Sequence, residues 1–117
     1  KINLKKAKIL ILGLTFKENC RDLRNSKVVD LVNNLRQKLN KVEVYDPNVD
    51  KKEALDLYKI KLLKKLRKNF YDGVILAVTH DQFKSLGLSN IRKTCKKNFV
   101  FYDVKHMFDI SESDMRL

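Results

Sequence analysis

A buried strand, a long polar loop and an amphipathic helix follow one another between Ile9 and Leu39, and this succession leaves few folds open. Ile9-Leu10-Ile11-Leu12 is a continuous apolar run, the pattern of a strand covered on both faces of a parallel sheet. Gly13 ends it. From Ser26 the period becomes helical: Val28, Leu31, Val32, Leu35 and Leu39 share one face, and Asn34, Arg36, Gln37 and Lys38 the other. Ser26 is the expected N-cap, its hydroxyl accepting from a free first-turn N–H. The loop from Leu14 to Asn25 exceeds the ~2–6 residues usual between a strand and a helix. It is dense in charge and amide groups, and long loops in compact domains often carry function.

The rest of the chain repeats the alternation. Strand one is predicted over Ala7–Leu12 and helix one over Ser26–Leu39. Val42-Glu43-Val44-Tyr45 forms strand two, closed by Asp46-Pro47, since proline cannot continue the ladder. Asp50 is expected to cap a helix over Lys51–Tyr58. Ile60–Leu62 reads as a short strand and Leu63–Lys68 as a short helix, although KIKLLKKLRK also reads as a basic amphipathic helix. Val74–Val78 is a second buried strand, Asp81–Leu86 and Ser89–Lys97 are short helices, and Phe99–Tyr102 is the last strand. The polar stretch 111–117 is expected to be a flexible tail. Strands alternating with helices predict a three-layer α/β/α sandwich with a mainly parallel, Rossmann-like sheet.

The 117 residues suit one domain, 1–117, with a single core. No apolar run approaches the ~18 residues of a membrane span. The run at Ile9–Leu12 is too short for a secretory signal. Cys20 and Cys95 show no paired spacing, which fits a reducing, cytoplasmic setting. The net charge of +12 points to an anionic partner. It comes from 20 Lys and 6 Arg, however, and a lysine-rich excess is more often a solvated surface than a phosphate-reading one.

In an open parallel sheet, ligands lie outside the carboxyl ends of the strands. There the chain places Lys17, Asp46, His80, and Lys105 with His106. Lysines and imidazoles converging on one edge suit a phosphorylated ligand. A dinucleotide cradle would need G-x-G-x-x-G between strand one and helix one, and only Gly13 is present. Asp46 resembles the ribose-binding acid of such a site, but without the glycines it reads as an Asp-Pro turn residue. His80 and His106 with two separated cysteines match no zinc spacing, and no metal is expected. Cys20 has no base beside it and reads as a loop thiol. Asp22 and Arg24 read as an ion pair that folds the loop back.

The segment from Gly13 to Val28 resembles the G-L-x-F-K-x-x-x-x-D-x-R-x-S signature of the UDP-glucose/GDP-mannose dehydrogenases, where it opens the C-terminal, UDP-binding domain. Val44-Tyr45-Asp46-Pro47 is similar to that domain's V-x-Y-D-P, Tyr71 to His80 to its Y-D-x-x-x-x-A-x-x-H, and Tyr102 to Lys105 to its closing D-x-K/R. These matches run in order over nearly the whole chain. The wording F-K-E-N-C-x-D resembles most the branch that oxidises UDP-N-acetylhexosamines, in which proline usually stands where this chain has Arg21.

The resemblance implies part of an enzyme that oxidises a UDP-hexose or UDP-N-acetylhexosamine at C6 to the uronic acid, in two steps, with two NAD⁺ and a catalytic cysteine, for surface polysaccharide or capsule synthesis. It implies that the NAD site and that cysteine lie in N-terminal and central helical domains outside these residues. Such a C-terminal third is expected to be inactive alone, to bind no cofactor, and to belong to a homo-oligomer. Phe16, Lys17 and Lys105 match the family's substrate-contacting positions. Asp22, Arg24, His80 and His106 are expected at the substrate edge or as loop supports, and no catalytic residue is expected here. The competing reading, a stand-alone basic nucleic-acid-binding module, has the charge but no recognised RNA-binding motif or aromatic stacking pattern.

Overall fold

The computed structural model describes residues 6–39, 41–103 and 115–116. The elements are β1 (Lys8–Leu12), α1 (Lys27–Lys38), β2 (Lys41–Tyr45), α2 (Lys51–Tyr58), β3 (Tyr71–Leu76), α3 (Asp81–Arg92), β4 (Cys95–Asp103) and β5 (Met115–Arg116). The strands form one sheet in the order β2-β1-β3-β4-β5, and every pairing is parallel. β1 is flanked by β2 and β3, and Leu12 pairs with Tyr45 on one side and Leu76 on the other. Chain order therefore reverses between β1 and β3, and the crevice beyond their carboxyl ends is the place where such sheets accept ligands.

Alternation along the strands builds two cores. Ile11 and Val44 face one way and pack with Val29 and Val32 of α1 and Ala54 of α2. Leu10, Leu12, Val74, Leu76 and Phe101 face the other way and pack with Phe83, Leu88 and Ile91 of α3. Helices thus cover both faces, and the expected three-layer architecture is present. Leu14 and Leu23 of the long loop are fully buried in the α1/α2 core, so the loop is anchored at both ends by apolar side chains.

Several local expectations differ. Residues 60–68 form neither a strand nor a helix. Ile60 and Leu62 turn inward at alternate positions, and the Leu63 N–H donates to the Val44 carbonyl at 2.9 Å, so the segment lies along the β2 edge. Burial on a two-residue period defeats a helix, and one backbone bond is too little for a strand. Arg67 clamps it with a bidentate contact to Glu43, at 2.7 and 3.1 Å, and Tyr71 donates to the same carboxylate at 2.6 Å. Burial raises the Glu43 carboxyl, but these donors outweigh it and hold it below its ordinary value; burial pushes the Tyr71 phenol up. β3 starts at Tyr71, and Ala77 and Val78 leave the ladder, both their N–H groups donating to the Leu12 carbonyl. The two expected helices after His80 are one element broken at Gly87 (φ 81°, ψ 154°), and the second ends at Arg92 because β4 already begins at Cys95. Within 111–117, expected to be a flexible tail, Met115–Arg116 pairs with Tyr102 and Asp103.

Asp50 caps α2, accepting from the Lys52 and Glu53 N–H groups. Ser26 sits at the N-cap of α1 but makes no capping bond; its hydroxyl donates to the Leu14 carbonyl at 2.6 Å. The competing acceptor wins because the loop brings a buried carbonyl to that point, and a buried carbonyl without a partner is costly.

Gly13 shows how tightly the loop leaves β1. Its φ is +96°, and an added Cβ would lie 2.6 Å from Val78 Cβ and 2.9 Å from Val78 N. Gly13→Ala should therefore destabilise the chain by about 3 kcal/mol or more, through strain and overpacking together. Thermal unfolding of the variant beside the parent measures this; a melting temperature within a few degrees of the parent would show that the turn can relax.

A candidate nucleotide-sugar edge built on a buried histidine–aspartate pair

Asp46 and His80 follow β2 and β3, the two strands that flank β1. The sheet therefore brings them together across the end of β1, although 34 residues separate them. His80 Nε2 lies 2.9 Å from Asp46 Oδ2, and both side chains have zero exposure. Asp46 does much more than turn the chain. Its Oδ2 also accepts from the Leu14 N–H at 2.7 Å, and its Oδ1 from the Asn48 N–H at 2.9 Å. One carboxylate thus ties the start of the loop, the turn after β2 and the segment after β3.

The loop completes the network. The Asn19 N–H donates to His80 Nδ1 at 2.9 Å, and the Asp81 N–H donates to Asn19 Oδ1 at 2.9 Å. Asn19 has φ +57°, a left-handed conformation that asparagine tolerates better than most side chains. Thr15, also buried, donates from its hydroxyl to the Lys17 carbonyl at 2.8 Å. The Phe16 N–H donates to the Asp22 carbonyl at 2.9 Å, and the Tyr58 hydroxyl to the Leu23 carbonyl at 2.8 Å. Asx-type and cross-loop bonds of this kind let an irregular segment satisfy its backbone without a ladder.

Each residue singled out in the sequence has a definite place. Phe16 is 54% exposed, and Phe16 and Lys17 line a cleft of about 420 Å³ with Glu18, Lys27, Val28, Leu31, Ala77 and Val78. Val28 and Leu31 of α1 and Ala77 and Val78 after β3 give the cleft its apolar part, and Lys17, Lys27 and Glu18 its charged part. Asp22 and Arg24 pair at 3.0 and 3.1 Å at the surface, and the Arg24 N–H donates to Asp22 Oδ1 at 2.8 Å. The Arg24 hydrogen bond and charge hold the Asp22 carboxyl below its ordinary value. His80 is not at an open edge; it is inside. Cys20 is half-buried, and its sulfur accepts from the Asp22 N–H at 3.2 Å. Arg21 faces polar clefts with Asn48 and Gln82. Lys105 and His106 lie outside the described residues. No group of three metal-ligating side chains occurs among the described residues.

Sequence reasoning missed Thr15, Asn19 and Asn48, and it underrated Asp46. The usable signal was topological: two polar residues directly after the neighbours of a central strand must approach each other across its end. Removing the carboxylate tests their weight. Asp46→Ala strands three donors and should cost about 3 kcal/mol or more, a fall in melting temperature of roughly 10–20 °C. Asp46→Asn keeps an acceptor and should lose less. Equal melting temperatures for the parent and both variants would mean that the pair carries no stability.

A model of the UDP-glucose/GDP-mannose dehydrogenase family, UDP binding domain, matches residues 10–110. A UDP-N-acetyl-D-glucosamine 6-dehydrogenase of Pseudomonas aeruginosa is 46% identical over 117 residues, covering 100% of this chain and 28% of the relative. An enzyme of the same name from Salmonella typhi is 41% identical over 116 residues, 99% of this chain and 27% of the relative. The solved structure of a UDP-D-ManNAc dehydrogenase from Pyrococcus horikoshii superposes with a TM-score of 0.77 at 24% identity, covering 98% of this chain and 26% of that one, and shows the same fold. This chain therefore spans little more than a quarter of its relatives, and it belongs to the UDP-glucose/GDP-mannose dehydrogenase family as a UDP-binding domain.

Proposed function

We propose that this chain is the nucleotide-sugar-binding part of an NAD-dependent UDP-sugar 6-dehydrogenase, acting on a UDP-N-acetylhexosamine for surface polysaccharide synthesis. The observation that carries this is the cleft beside Phe16 and Lys17, in a chain whose family match spans the same loop. An exposed aromatic ring, apolar side chains and lysine cations suit a base or sugar face next to a diphosphate. Lys17 is assigned as a cation for the diphosphate or a substrate oxygen, Phe16 as a wall of the site, and Lys105 as a further basic contact. The identities of 46% and 41% to enzymes named for UDP-N-acetyl-D-glucosamine support the choice of branch.

No NAD site is assigned to these residues: residues 13–26 hold one glycine where a dinucleotide cradle carries three, and that glycine is packed against Val78. The dinucleotide and the residues that carry out oxidation are accordingly assigned to the rest of the longer protein, and the domain alone is expected to be inactive. The nucleic-acid reading keeps only the net charge: the exposed lysines are spread over loops, helices and strands, and no row of stacking aromatics accompanies them among the described residues.

In the full-length enzyme, Lys17→Ala should lower kcat/KM for the UDP-sugar while leaving NAD⁺ affinity and folding nearly unchanged. Loss of one charge-assisted contact is worth roughly 1.5–3 kcal/mol, or about ten- to a hundredfold. Steady-state kinetics with both substrates varied, beside a melting curve, measure this. An unchanged kcat/KM for the sugar would overturn the assignment, and so would a melting temperature that falls in step with activity.

A further inference from the structure

The hydrogen bonds around the buried ring of His80 set its tautomer. Its Nδ1 accepts from the Asn19 N–H, so that nitrogen carries a lone pair and the ring proton lies on Nε2. The Nε2–H faces Asp46 Oδ2 at 2.9 Å, with Thr15 Oγ1 at 3.3 Å as a second acceptor. Thr15 can take that role because its own proton goes to the Lys17 carbonyl. The turn that carries Phe16 and Lys17 is thus tied to one imidazole at both ends, through Thr15 before it and Asn19 after it.

We propose that His80 is a positioning residue for nucleotide-sugar binding: it fixes the main chain of residues 15–19, and with it the place of Lys17 beside its cleft. The role rests on the reading of Lys17 as a substrate contact. Without the ring's acceptor the Asn19 N–H, and with it the far end of the turn, would lose its partner.

The test is kinetics of the full-length enzyme with UDP-N-acetylglucosamine and NAD⁺ each varied, beside melting curves of the variants. Thr15→Val keeps the shape of the side chain and removes the link to Lys17; it should raise the sugar KM about three- to tenfold, the loss of one neutral hydrogen bond, with the melting curve little changed. His80→Gln still offers a donor and an acceptor, so it should raise the sugar KM less than His80→Ala does, with KM for NAD⁺ unchanged in both. An unaltered sugar KM in Thr15→Val would overturn the proposal, as would equal sugar KM values in the parent and His80→Ala. If Lys17→Ala is also without effect, the substrate assignment falls together with the positioning role. If Lys17→Ala weakens sugar use and the other variants do not behave as stated, only the positioning role falls.

Discussion

One carboxylate at the end of β2 ties together the segments that follow β1, β2 and β3. Asp46 is 2% exposed and takes three donors: two backbone N–H groups and one imidazole. A buried carboxylate is tolerated only with such partners, and each partner belongs to a different segment. If one of them moves, the remaining groups are left buried and unpaired, so the segments are held or lost together. This explains how a connection of residues 13–26, with no regular structure inside it, keeps a single course. Leu14 and Leu23 supply the apolar anchors, and the polar network decides where the chain runs between them.

The same network lies at the end of β1, where a dinucleotide-binding sheet carries a short glycine-rich turn. In such sheets the crevice where chain order reverses is normally left open by a short glycine-rich turn. Here the turn is long, and its own residues bond to His80 and Asp46. The loop then presents Phe16 and Lys17 farther out, beside the first turn of α1, where a cleft with an apolar part is available.

Much of this was legible in the sequence where one local signal sufficed. The apolar run of β1, the helical period of α1, the Asp50 cap and the Asp-Pro stop of β2 each rest on neighbouring residues, and each is found. The misreadings occur where a distant partner decides. Ile60 to Lys68 looked like regular structure, but alternate burial against the core and the Arg67–Glu43 clamp lay it along an edge. Ser26 had the right residue type for a cap, yet a carbonyl twelve residues earlier takes its hydroxyl. Asp46 and His80 could be placed at the right edge, but not recognised as a pair, because the order of the strands is what joins them. Gly13, read only as the end of a strand, is required by the approach of Val78.

The central claim is that the loop is a fixed structure held by the buried pair. The exchange rate of the Asn19 amide proton in the 117-residue chain tests it most directly. That amide lies in an irregular loop and has one partner, His80 Nδ1. At neutral pH it should be protected to a degree comparable with the amides of β1, since it can open only when the network opens. Exchange at the rate of an open, solvated loop, while the β1 amides stay protected, would contradict the claim.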